Sequence, residues 1–218
     1  MIKLHIFDMD NTILNTDCDV TWKEFLVKNA LAPASALKTA EEFHNDYNAG
    51  KQDHNKFLEF QLEEFKGKTK PAMLKISSRH FEEAVKPAIR TKAFDYIKKL
   101  IAAGERVAML TSSNVILAYP VALYFGITDY IGTELETCDG VFTGKPAGTF
   151  PGNNGKIYHL GRFCERYGID SSEVAAYGDS VNDIPLLESV GTAFAVSPSP
   201  ALRKHAEIRN WQILDWQD

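Results

Sequence analysis

The apolar positions of this 218-residue chain follow two rhythms. Short continuous runs occur at Ile2–Phe7, Val107–Leu110, Val174–Tyr177, Ala193–Val196 and Trp211–Leu214, the length and character of strands buried on both faces. Elsewhere apolar residues return every three to four positions, the period of a helix with one buried face. Between the first two runs only the helical rhythm is present. Trp22, Phe25, Leu26 and Ala30 form one stripe, closed by Pro33, and Leu37, Ala40, Phe43 and Tyr47 form a second, stopped at Gly50. Asp53 can cap a third helix carrying Phe57, Phe60 and Phe65, and a fourth is predicted from about Ala72 to Ala84, before Pro87. The spacing therefore predicts an all-helical domain over residues 15–88, inserted into something else.

That something else has an α/β rhythm. Phe94, Ile97, Leu100 and Ile101 mark a helix ended by Gly104, and another runs to Phe125-Gly126 with Pro120 bending it or limiting its start. Tyr130-Ile131 and Val141-Phe142 read as short strands around the turn Asp139-Gly140, and 144–155 as a loop rich in Gly and Pro. Ile157, Leu160, Phe163 and Cys164 mark a further helix, ending near Gly168. Strands alternating with helices predict an α/β core of residues 1–14 and 89–218, a Rossmann-like, doubly wound parallel sheet. In such a sheet the carboxyl ends of the strands share one edge, where ligands bind.

Composition narrows the classes. A formal charge of −5 argues against general binding to nucleic acid or to acidic membrane surfaces, but leaves room for a small phosphorylated metabolite. No apolar run reaches the length of a membrane span, and the first residues enter a strand directly, so a cytoplasmic protein is expected. Cys18, Cys138 and Cys164 are too few and scattered for a disulfide framework or a Cys-x-x-Cys metal site.

Three buried runs end in polar residues. The first ends in Asp8-Met9-Asp10-Asn11-Thr12, the second in Thr111-Ser112-Ser113-Asn114, the third in Gly178-Asp179-Ser180-Val181-Asn182-Asp183. Two carboxylates spaced i, i+2 repel unless a cation or a proton lies between them, and hard oxygen ligands suit Mg²⁺. Over this edge Asp8 could attack a phosphate monoester, and Asp10 could protonate the leaving oxygen and then activate water. Asp179 could complete a metal site, with Asp183 one helical turn later on the same face. Thr111 or a neighbouring hydroxyl such as Ser112, with the helix start that follows, could hold the phosphoryl oxygens. A lysine must balance the remaining charge; Lys156 is well placed at a helix start, with Lys145 as its competitor.

These motifs resemble those of the haloacid dehalogenase-like phosphatase superfamily over nearly the whole chain. Asp8-Met9-Asp10-Asn11-Thr12 matches its Asp-x-Asp-x-Thr motif, Thr111 the Ser/Thr motif, Lys156 the motif lysine, and Gly178-Asp179-Ser180-x-Asn182-Asp183 the final acidic motif. The resemblance implies an aspartyl-phosphate on Asp8, Asp10 as acid/base, and Mg²⁺ held by Asp8, the Asp10 carbonyl and Asp179. It also implies Asp183 and Asn182 behind that first layer. The helical insertion resembles the cap of the phosphoserine-phosphatase-like branch, which closes over a small soluble substrate.

Substrate choice departs from phosphoserine phosphatase. Asp17 falls where that enzyme has a glutamate for the substrate amine, but Glu59 falls near the position of its carboxylate-pairing arginine. The expectation is an amine- or imidazole-bearing phosphomonoester without a carboxylate, such as histidinol phosphate or phosphoethanolamine. Asp17, Asp19 and Glu59 would form an acidic lip, with Trp22 as an aromatic contact. Phosphoserine phosphatase activity, phosphotransfer to an acceptor alcohol and a non-catalytic phosphate-sensing module are the rival readings. Oligomeric state is left open.

Overall fold

The computed structural model describes residues 1–48 and 54–217, with the backbone alone for 44–48 and 54. Seven strands form one sheet: β1 (Leu4–Phe7), β2 (Val107–Asn114), β3 (Asp129–Cys138), β4 (Val141–Ala147), β5 (Val174–Gly178), β6 (Thr192–Val196) and β7 (Gln212–Leu214). Their order is β4-β3-β2-β1-β5-β6-β7, and every pair is parallel except β3/β4. Alternate residues of the central strands enter two different cores, as a sheet covered on both faces requires. Leu4, Ile6, Leu110, Val174 and Ala176 pack with Leu160 and Phe163 of α7 (Gly155–Tyr167), with α8 (Ile184–Glu188) and with α9 (Pro200–Arg209). Phe7, Met109 and Tyr177 face the other way, toward α5 (Thr91–Ala102) and α6 (Val115–Phe125).

β1 lies between β2 and β5, so the chain winds outward in opposite directions from it. The topological switch point thus falls at the end of β1, the crevice where ligands bind in open α/β sheets. Stacked rings hold the strands in register beneath that point, with Tyr177 4.1 Å from Phe7 and 4.5 Å from Phe194 between ring centroids.

Between the end of the Asp8 loop and α5 lie α1 (Cys18–Lys28), α2 (Ser35–Asn48), α3 (His54–Leu62) and α4 (Lys70–His80). The expected stop at Gly50, the cap at Asp53 and the side chain of Tyr47 lie outside the described residues. The fourth helix starts earlier than predicted because Thr69 caps it, accepting from Ala72 N, and it passes at Phe81–Val85 into a π turn. The outgoing and returning segments run side by side: Leu14 bridges Ile89, and Asn15 N donates to Ala88 O. Arg90 fastens this junction, its buried guanidinium donating to the carbonyls of Leu14, Asn11 and Trp216.

Three expectations change. The 144–155 segment is not all loop, since β4 runs to Ala147, paired with β3 across Asp139-Gly140. Both turn residues have positive φ, 51° and 80°, as a two-residue hairpin turn demands. In α7 the buried face is Lys156, Leu160 and Phe163, while Ile157 is exposed. Of the two readings of Pro120, limiting the start of α6 is excluded, since it sits inside the helix.

That proline removes the N–H that would serve the carbonyl of Ile116, four residues earlier. Ser77 of α4 supplies the replacement, its fully buried hydroxyl donating to Ile116 O at 2.6 Å. Ser77→Ala should therefore cost about 1–3 kcal/mol, the penalty of a buried carbonyl left without a donor. Urea unfolding checks this, and Pro120→Ala in the same chain should recover part of the loss by restoring the helical N–H.

Candidate active site

Asp8 is the first residue beyond β1, held in line by its N–H donating to Tyr177 O. It is 7% exposed, and its two oxygens have different neighbours. Oδ1 accepts from Lys156 Nζ at 2.6 Å, and Oδ2 lies 3.3 Å from the hydroxyl of Thr12. The same hydroxyl lies 3.0 Å from Asp179 Oδ1, at the end of β5. Asn11 takes a left-handed φ of 56°, which asparagine tolerates better than most residues, and so turns the loop that returns Thr12 to Asp8.

Lys156 is 2% exposed and binds two acids, Asp8 and Asp183, the latter at 2.5 Å. Burial pulls its pKa down, but Asp183 and Asp8 together carry it above the ordinary lysine value, so it stays charged. Lys145, the competitor, is exposed on β4. Asp183 is almost fully buried, and its second oxygen receives Asp179 N, Ser180 N and Ser180 Oγ. Gly178 makes that approach feasible, because a Cβ there would come within 2.5 Å of Asp183 Cγ. Asn182 sits half-buried in the same turn, Val181–Asp183.

The donor set suits a hard divalent cation. One carboxylate oxygen each from Asp8, Asp179 and Asp183 lies within 4.8 Å of the others. Both Asp183 oxygens are engaged by lysine and N–H donors, so Asp8 and Asp179 have lone pairs to offer while Asp183 orients its neighbours. The acids crowd one another at low dielectric. Burial, opposed by Lys156 and aided by Asp183, holds Asp8 well above the usual carboxylate range, and burial plus Asp183 lift Asp179 to about 7. Positive charge between these two would relieve both.

Asp10 stands across the site. Its Oδ1 accepts from Cys18 N at 2.7 Å, and its Oδ2 from Ser113 Oγ at 2.6 Å, with Thr111 Oγ1 at 3.4 Å. Burial, then the charge of Asp17, raises it to about 6. Thr111 is buried and accepts from Ser113 N, whereas the cap of α6 is Asn114. Ser112, expected beside Thr111, is exposed instead. β2 runs on to Asn114 rather than ending at Leu110, and the register irregularity between Leu110 and Asn114 leaves Thr111 and Ser113 buried and Ser112 exposed. Ser113 and the Cys18 amide carry no role in the sequence reading, and Thr12 stands there in the motif without one. The sequence signal for Ser113 is its place in the hydroxyl-rich run Thr111-Ser112-Ser113.

The expected acidic lip is only partly assembled. Asp17 caps α1, accepting from Asp19 N and Val20 N, and its charge reaches Asp10 and Asp19. Burial and then those two acids raise Asp19 well above the usual range. Trp22 is not a contact at the mouth: it is fully buried, packed on Phe25, Phe65 and His80. Glu59 is exposed in a groove of about 490 Å³ between α3 and β4, lined also by Lys56, Phe60, Lys66, Thr143 and Lys145 and by no residue of the Asp8 cluster. Ungapped counting failed there because helix lengths in the insertion set where α3 falls. No helix among the described residues is long and apolar enough to cross a membrane.

Comparison with known proteins agrees with this geometry. Residues 6–188 match the family model described as haloacid dehalogenase-like hydrolase. A protein of Neisseria meningitidis serogroup C named histidinol-phosphatase is 34% identical, with both chains covered in full. A Mycobacterium tuberculosis protein named phosphoserine phosphatase is 28% identical over 97% of this chain and 70% of its own. Among solved structures, a Bordetella pertussis protein of unknown function superposes with a TM-score of 0.92 at 30% identity, both chains covered in full. A substrate-bound phosphoserine phosphatase superposes at 0.72 with 20% identity, over 98% of this chain and 93% of its own, which speaks for the fold.

Proposed function

This chain belongs to the haloacid dehalogenase-like hydrolases and is a phosphatase, and from that premise we propose that it hydrolyses a small phosphomonoester by way of a phosphorylated Asp8. The observation that carries this reading is the position of Asp8, at the switch point, one oxygen tied to buried Lys156 and the other sharing the Thr12 hydroxyl with Asp179. Asp8, Asp179 and the Asp10 carbonyl would hold Mg²⁺, which when bound neutralises charge between the anionic nucleophile and the anionic phosphoryl group.

The residues divide the remaining work. Asp8 attacks phosphorus, and Lys156, kept charged and oriented by Asp183, compensates the phosphoryl charge. Thr111, whose hydroxyl accepts from Ser113 N and points its proton at Asp10 Oδ2 over a long 3.4 Å, would turn that proton to a phosphoryl oxygen at the start of α6. Asp10 gives a proton to the leaving oxygen and takes one from the water that frees Asp8. The helical segment 15–88 acts as the lid that excludes water and meets the leaving group.

The leaving group we propose carries an amine or imidazole, with histidinol phosphate as the first candidate. Two observations support it. Asp17 adds negative charge next to Asp10 and Asp19 is a further carboxyl group beside them, while Lys23, on the same helix as Asp19, is committed to Glu64 at 2.6 Å. The relative named histidinol-phosphatase matches along the whole chain. A panel of phosphorylated metabolites with Mg²⁺ tests both levels. Histidinol phosphate or phosphoethanolamine should give the highest kcat/KM. A strong preference for phosphoserine would overturn the substrate assignment, and turnover of none would overturn the phosphomonoesterase reading itself.

A further inference from the structure

We propose that Ser113 is the positioning residue of Asp10, fixing which oxygen of that carboxyl group carries the transferred proton. The proposal rests on Asp10 being the acid/base of a phosphatase.

Asp10 is gripped from both sides of the site. Its Oδ1 accepts from the amide of Cys18, the first residue of α1, at 2.7 Å. A backbone amide can only donate, so Oδ1 must present a lone pair whether Asp10 is ionised or not. The carbonyl oxygen of a neutral carboxyl group is the better acceptor, so this contact favours Oδ2 as the oxygen that carries the exchangeable proton. That is the oxygen against which Ser113 Oγ sits at 2.6 Å, from the end of β2. Ser113 is 2% exposed, and its amide is committed to Thr111 Oγ1.

A hydroxyl serves both states of its partner, because it donates or accepts by rotation. With Asp10 ionised, Ser113 donates to Oδ2. With Asp10 protonated, Ser113 turns and frees Oδ2–H for the substrate. In the first step Asp8 forms a bond to phosphorus, the P–O bond to the leaving group breaks, and the Oδ2 proton moves to the departing oxygen. In the second, water passes a proton to Oδ2 as its oxygen bonds to phosphorus and the Asp8–phosphorus bond breaks. The sum is ester plus water giving alcohol plus phosphate, with Asp10 and Asp8 restored. Without Ser113 the restraints left on this carboxyl group among the described residues are Cys18, through its amide and side chain, and Thr111 at 3.4 Å, so the group gains freedom to rotate away from the leaving oxygen.

The test compares an alkyl phosphomonoester, whose leaving oxygen needs a proton, with p-nitrophenyl phosphate, whose leaving group does not. Wild type, Ser113→Ala, Ser113→Cys and Ser113→Thr are assayed together with Mg²⁺. Ser113→Ala should lower kcat on the alkyl ester about tenfold or more, with KM changed less than about twofold. First-turnover release of nitrophenolate should be preserved. Ser113→Cys, near in shape but a weak donor, should match Ser113→Ala, so the comparison survives if either variant fails to fold. Ser113→Thr should return to within about threefold of wild type, since it keeps the hydroxyl. Equal losses of the first-turnover rate on both esters, or no loss on the alkyl ester, would overturn the role of Ser113 while leaving the phosphatase reading intact. An inactive wild type would overturn that reading and this proposal with it.

Discussion

Asp8→Asn is expected to abolish turnover of every phosphomonoester the protein accepts, a fall of at least about 10⁴-fold in kcat. An amide nitrogen replaces one carboxylate oxygen, and neither remaining atom is an anionic nucleophile. The change also removes a charge that Lys156 now balances at 2.6 Å, so its effect extends to the grip on the phosphoryl group. Steady-state kinetics on the best substrate of the panel would measure the loss. Trapping with labelled substrate separates causes: wild type should carry acid-stable, base-labile label, and Asp8→Asn none. Chelation of Mg²⁺ should reproduce the loss in wild type reversibly, and activity that survived either treatment would refute Asp8 as the nucleophile of a metal-assisted reaction.

Lys156→Met should harm both stability and activity. The lysine is 2% exposed and lies between Asp8 and Asp183, themselves buried. Methionine fills similar volume but leaves two carboxylates facing each other without their cation. Breaking a buried ion pair by removing one partner costs about 3–5 kcal/mol, and here one cation serves two acids. Guanidinium unfolding should show a loss of that size, and saturating Mg²⁺ should recover part of it, because a second cation at Asp8 and Asp179 would relieve the same repulsion. Residual activity should fall by at least about 10³-fold, as for loss of a main transition-state charge. Lys145→Met, on exposed β4, should change neither quantity appreciably, which makes it the matched control.

Much of this architecture is local and therefore readable along the chain. A run such as Leu4-His5-Ile6-Phe7, short and followed by a polar turn, reads as a strand covered on both faces, which puts two acids at its end on the sheet's edge. Pattern likewise separates the helical segment from the sheet, since periods of 3.6 and 2 do not mimic each other over several turns. The acids, the threonine and the lysine were each identified by their place at a strand end or a helix start.

What pattern could not supply depended on contacts between distant segments. The helical stripe containing Trp22 identified its face but not the body it meets, and packing on Phe65 and His80 removed it from the mouth of the site. Ser112 and Ser113 are chemically identical neighbours, and only the continuation of β2 to Asn114 decides which one meets Asp10. Pro120 left two readings open, a bend or a limit to the helix start, because its missing N–H is a local fact, while the hydroxyl that compensates arrives from Ser77, 39 residues from Ile116. The sequence by itself determined the fold class, the order of strands and helices, and the identity of the acids at the central edge, because these follow from backbone periodicity and residue chemistry. The tertiary structure decided which oxygen meets which donor, because that depends on how segments far apart in the chain pack against one another.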